Sequence, residues 1–129
     1  VGISIVVGDS ADTKRIQAEV RETITRERSK NARYSSNSPY PFGWCTYYAS
    51  QKKGITTNYG DARYWPVNSD TPQVGAVMVT YESPRGHVSY TEAVDGYLVT
   101  VSEMNYQGWG RISQRTVDIR NIPLKGFML

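Results

Sequence analysis

The stretch PFGWCTYYASQKKG, residues 41–54, decides how this chain is read, because it holds the single cysteine of 129 residues among four aromatic side chains. From Cys45 onward the segment has fair helical propensity. Two lysines fall in its last turn, and Gly54 is placed to end the helix in a left-handed cap. Cys45 then lies in the first turn, where unpaired backbone N–H groups and the helix dipole favour an anion. A cysteine in a core is more often a small apolar residue than a nucleophile. A nucleophile requires a base beside it and a third group that orients the base.

Downstream, GDARYWP (residues 60–66) reads as a second short helix, with Asp61 near its start and Pro66 just past its end. From Pro72 the pattern turns to strands: VGAVMVTY, HVSYTEAV, YLVTVSEMNY, RISQRTVDI and a final GFML, separated by turn signals at ESPRG, DG and NIP. Helices followed by antiparallel strands indicate an α+β fold. Upstream, residues 1–7 read as a short strand or stub. GDSADTKRIQAEVRETITRER (residues 8–28) reads as a helix capped by Ser10 or Asp12, with Ile16, Val20 and Ile24 as one narrow apolar stripe. Its charged remainder suits a surface position, a partner chain or further domains. The polar, proline-bearing SKNARYSSNSPYP follows as a linker, so the expected division is an extension over residues 1–36 and a domain over 37–129.

Hydrophobic content of 39% and charged content of 21% are those of a globular chain with one core. A net charge of +3 admits anionic partners, nucleic acid and bacterial wall polymer among them. Beyond residue 33, however, 8 Lys/Arg face 7 Asp/Glu, which leaves no basic stripe to track phosphates, so no nucleic-acid partner is expected. No stretch approaches the roughly 18 apolar residues of a membrane span. A lone cysteine forms no internal disulfide, and one histidine is too few for a zinc amidase.

His87 is that histidine, opening a strand directly after Gly86. Glu103 and Asn105 end the strand YLVTV on one face by alternation. Together with Cys45 they fill three roles: nucleophile, base and orienting acceptor. The turn between the two strands decides whether they meet. A two-residue Asp95-Gly96 turn sets His87 opposite Met104, on the wrong face. A three-residue loop, Val94 to Gly96, sets it across from Glu103. The site demands that second register or an equivalent bulge.

GWCTYYA, GDARYW, PQVGAVMVTY, RGHVSYTEAV, VTVSEMNY and the terminal KGFM stand in the order typical of the CHAP family, which the chain resembles over residues 39–129. The name denotes cysteine- and histidine-dependent amidohydrolases/peptidases. The resemblance implies a papain-like α+β fold, with N-terminal helices on an antiparallel sheet, and hydrolysis of peptidoglycan as an N-acetylmuramoyl-L-alanine amidase or a peptide endopeptidase. It implies Cys45 as nucleophile, His87 as base, Glu103 as the group that orients the imidazole, and Asn105 beside it. It also implies a secreted or wall-associated bacterial protein, or a phage lysin or virion component. Many members carry Gln immediately before the cysteine, where this chain has Trp44. Some carry an acidic calcium loop upstream of the nucleophile, but SSNSPYPFG has no Asp or Glu, and no metal or other cofactor is expected. Trp109, Tyr106 and Trp65 are the expected substrate-binding aromatics. The rival reading is a silent wall-binding module of the same fold.

Overall fold

The computed structural model describes residues 38–129. The strand, striped helix and most of the linker expected upstream, with the boundary near residue 36, lie outside the described residues. Helix α1 spans Cys45–Lys53 and ends at Gly54 in the left-handed conformation, with its N–H on the Ser50 carbonyl. The segment read as a second helix is a single 3-10 turn, Ala62–Tyr64. Five strands follow: β1 Val77–Thr80, β2 His87–Asp95, β3 Leu98–Met104, β4 Ile112–Asp118 and β5 Leu124–Met128. They form one antiparallel sheet in the order β4-β3-β2-β1-β5. This is the α+β arrangement expected from the sequence.

Both faces of the sheet are covered, which is why β1 and most of β3 are buried along their length. On one face Val77, Val79 and Val88 pack with Ala49 of α1, Ala62 and Trp65. On the other, Met78, Val99, Val101, Val117 and Phe127 form a second apolar cluster. Tyr48 of α1 ties helix to sheet, donating its hydroxyl to Ser102 Oγ at 2.9 Å.

The β2–β3 hairpin departs from both turns weighed in the sequence. Its two central residues are Gly96 and Tyr97, because Asp95 pairs with Leu98 and Val94 with Val99. Carried down the strands unchanged, that register would set His87 on the face of Met104. It does not persist. Ala93 pairs with Thr100 but Thr91 pairs with Val101, so Glu92 is an extra residue bulged out of β2. One inserted residue reverses the facing of everything beyond it. His87 and Glu103 therefore share a face, and the bulge performs what a three-residue loop would have done.

His87 also depends on the turn before it. Gly86 has φ 78, and its N–H bonds the Ser83 carbonyl at 2.8 Å. The adjoining Arg85 carbonyl accepts the Arg63 N–H at 2.8 Å, docking this turn on the 3-10 turn. A Cβ at Gly86 would overlap the Arg63 backbone, which cannot yield as a side-chain tip would. Gly86→Ala is therefore expected to cost at least about 2 kcal/mol, from left-handed strain plus displaced backbone. Chemical denaturation measures it. An unchanged midpoint would mean that the turn tolerates a side chain and does not fix His87.

Candidate active site

The site lies where the first turn of α1 meets the start of β2. The residue before α1, Trp44, is extended and caps the helix with no side-chain hydrogen bond; its carbonyl accepts the Tyr47 N–H at 3.1 Å, and the Cys45 and Thr46 amides precede that bond. Cys45 is half-buried there. His87 lies beside it in the cleft lining, close enough for the thiol to favour the charged form of the ring. On the other side of the ring, Nε2 lies 2.8 Å from Glu103 Oε1. With Nε2 committed to the carboxylate, Nδ1 is the nitrogen left for the sulfur. Burial is the largest single influence on His87 and disfavours the imidazolium. The hydrogen bonds to Cys45 and Glu103, with the charges of both, outweigh it and push the pKa up to about 9.

Glu103 has no exposed surface. It is held from a second side by Arg115 of β4, whose Nε donates to Oε2 at 2.9 Å and to Oε1 at 3.2 Å. The two terminal nitrogens of Arg115 grip Glu82 in a fork, at 2.7 and 2.6 Å. Thr80 donates its hydroxyl to Glu82 Oε1 at 2.7 Å. The Tyr106 ring covers the guanidinium, with 3.9 Å from its carbon to the ring centroid. Burial works against the charged guanidinium, but the two carboxylates overcome it and hold Arg115 protonated. Neither Arg115 nor Glu82 was expected at the site. The available signals were an arginine on the face of β4 that pairs with buried Val101, and a carboxylate inside a segment read only as a turn.

A cleft of about 910 Å³ opens over these groups. Its lining includes Tyr40, Pro41, Trp44 and Thr46 around the start of α1, and the segment Glu82–Gly86 before β2. Asn105 and Tyr106 line it as well. Asn105 has φ 65, a conformation asparagine tolerates better than most residues, and its N–H bonds the Arg111 carbonyl at 3.1 Å. Trp109 stands outside the cleft lining, 60% exposed, with its ring over Gly43 and edge-on to Phe42. Trp65 corrects the sequence reading. It is fully buried, between Tyr40 and Tyr59 and against the α1 face of the sheet, so it offers no surface to a substrate. An exposed aromatic that does line the cleft is Trp44, at 43%. Among the described residues no cluster of three His, Cys, Asp or Glu is arranged to hold a metal ion.

As the single histidine, His87 can be followed by NMR without assignment. Its imidazole is expected to titrate at about 9 rather than at its ordinary 6.5. Cys45→Ala should lower that value, because a hydrogen bond and a charge that favour the imidazolium are removed. The folded-state pKa is raised, so the stability His87 contributes is complete below pH 6.5 and is lost as pH rises through about 9. Titration at the ordinary value, unaffected by Cys45→Ala, would contradict the thiol–imidazole contact.

A family model described as CHAP domain matches residues 35–105, the segment that contains Cys45, His87 and Glu103. The staphylococcal secretory antigen SsaA of Staphylococcus aureus is 35% identical over 128 residues, covering 85% of this chain and 50% of its own length. The probable autolysin SsaALP of the same species is 31% identical over 122 residues, with 82% and 46% covered. Among solved structures, an N-acetylmuramoyl-L-alanine amidase from Staphylococcus aureus superimposes with a TM-score of 0.56 at 29% identity, covering 67% of this chain and 32% of that one. The chain spans about half the length of the curated relatives it matches. The order of its motifs, the helix-borne cysteine facing a strand-borne histidine and the match over residues 35–105 agree, and the chain belongs to the CHAP domain family.

Proposed function

We propose that this chain is a cysteine-dependent hydrolase that cleaves an amide bond of peptidoglycan. The observation that carries the reading is His87, seated between the Cys45 thiol and the buried Glu103 carboxylate. A nucleophile, a base and an orienting acceptor are thus in line, on the first turn of a helix and at the floor of an open cleft.

In this mechanism His87 Nδ1 takes the Cys45 proton, forming a thiolate–imidazolium pair. The Nε2–H donated to Glu103 fixes the ring and balances its positive charge. The sulfur adds to the amide carbonyl, and the oxyanion is stabilised by backbone N–H groups at the start of α1. The imidazolium then gives its proton to the leaving nitrogen as the C–N bond breaks, which leaves a thioester on Cys45. His87 next takes a proton from water, hydroxide adds to the thioester, and the released thiolate restores the starting pair. No step needs a metal. Asn105 lines the cleft with His87, while Tyr106 and Trp44 flank the bound substrate, with Trp109 exposed nearby against Gly43. The names of the relatives, a secretory antigen and a probable autolysin, support an extracellular protein acting on the bacterial wall. No helix among the described residues is long and apolar enough to cross a membrane.

Of the amides in peptidoglycan we infer the one between muramic acid and L-alanine, supported by the name of the solved relative. Digestion of purified walls, read by mass spectrometry, tests activity and bond together. The wild type should release peptides with new alanine N-termini, whereas new termini inside stems or cross-bridges would make the chain an endopeptidase. Cys45→Ser and His87→Ala should each lower turnover by at least about 10³-fold with the fold retained. Glu103→Gln should reduce it less, since an amide oxygen accepts the imidazole N–H without balancing its charge. Walls left intact by the wild type, but bound by it, would establish the silent module instead.

A further inference from the structure

Behind the reacting pair stands a second layer of charge that general acid–base chemistry does not require. Charges alternate in sign along one connected path that starts beside Cys45: His87 imidazolium, Glu103, Arg115 and Glu82. The path crosses the sheet from the tip of α1 through β2 and β3 to β4, then returns to the segment after β1. That last step matters, because Glu82 opens the segment Glu82–Gly86 that walls the cleft and ends directly before His87. The side chains of Glu82, Arg115 and Glu103 are 4%, 5% and 0% exposed, so water does little to screen them from one another.

We propose that Arg115 and Glu82 are positioning residues for the catalytic pair: Arg115 holds both Glu103 oxygens so that Oε1 stays on His87, and Glu82 anchors and neutralises Arg115 so that the charge of Glu103 remains available to the imidazole. Alone, a buried guanidinium at 2.9 Å would draw the Glu103 charge toward itself and weaken its hold on His87. The fork to Glu82 supplies that guanidinium with a partner of its own, in the bidentate geometry that only arginine provides. The Tyr106 ring seals the pair from the cleft, and its centroid lies 5.7 Å from that of His87. One salt bridge therefore links the cleft wall to the base.

The proposal rests on His87 acting as the catalytic base, and its test reads the imidazole directly as well as turnover. Titratable groups around the ring are Cys45 from α1, Glu103 from β3, Arg115 from β4, Tyr106 from the loop after β3, and Asp61, Glu82 and Arg85 from the cleft walls. Two substitutions leave all of them in place except the one altered. In Glu82→Gln the loss of a nearby negative charge should lower the His87 pKa by at least about half a pH unit, with the alkaline limb of kcat/KM moving by the same amount. In Arg115→Lys the charge stays but the fork is lost. Here kcat should fall about tenfold with KM within about twofold, and the His87 nitrogen resonances should shift. Each variant is measured by itself, so a folding failure in one leaves the other decisive. Turnover with imidazole titration and resonances unmoved in both variants would overturn the clamp and leave the hydrolase reading intact. Titration or resonances shifted in the variants, beside a wild type that cuts no wall, would do the reverse.

Discussion

A carboxylate with no exposed surface, Glu103, sits at the end of a central strand, and much of the structure around the cleft is arranged to satisfy it. An ionised group removed from water is costly unless it is paired and hydrogen-bonded. Glu103 meets that condition from two directions, with the imidazole of β2 on one oxygen and the guanidinium of β4 reaching both. Removing either donor leaves a buried charge short of a partner. The apolar clusters on the two sheet faces carry the general stability, whereas the Glu103 contacts fix where one imidazole points. A buried ion pair is weak evidence for stability, and its value here lies in orientation.

Several local features then acquire a common reason. The bulge at Glu92 departs from regular pairing, and without it His87 would face away from Glu103. The bulged residue is itself held, since Ser102 donates its hydroxyl to Glu92 Oε2 at 2.9 Å and Lys52 lies 3.6 Å away. Gly86 gives the close approach between two turns that starts β2 at the right height. Trp44 leaves the first turn of α1 without a side-chain cap, so the helix end nearest the thiol stays open to a ligand. Each device sacrifices some local regularity, and all of them converge on the same few ångströms of the cleft floor.

Much of this was legible in the sequence. The helix from Cys45 to its glycine cap, all five strands and the roles available to Cys45, His87 and Glu103 follow from propensity, alternation and residue type. The hairpin register did not. Turn type and bulges change the facing of a strand by the same single step, and their sum alone determines which side chains meet. The sequence reading allowed a bulge but assigned the turn to Asp95-Gly96 or a longer loop, whereas the chain turns at Gly96-Tyr97. Arg115 and Glu82 stayed hidden because their pairing spans 33 positions and crosses the sheet. Trp65, following the helix signal DARY, was open to two readings, a substrate contact or core packing, and it lies in the core. The apolar stripe of Ile16, Val20 and Ile24 lies outside the described residues.

The account depends most on Cys45 carrying the acyl group of a cleaved amide, and intact-protein mass spectrometry during turnover tests this directly. Wild-type protein mixed with soluble peptidoglycan fragments and quenched in acid should carry the mass of the acyl half of the substrate. Peptide mapping should place that mass on the segment containing Cys45, and neutral hydroxylamine should remove it, as expected for a thioester. Turnover with no such adduct, or with an adduct on any other residue, would contradict the account.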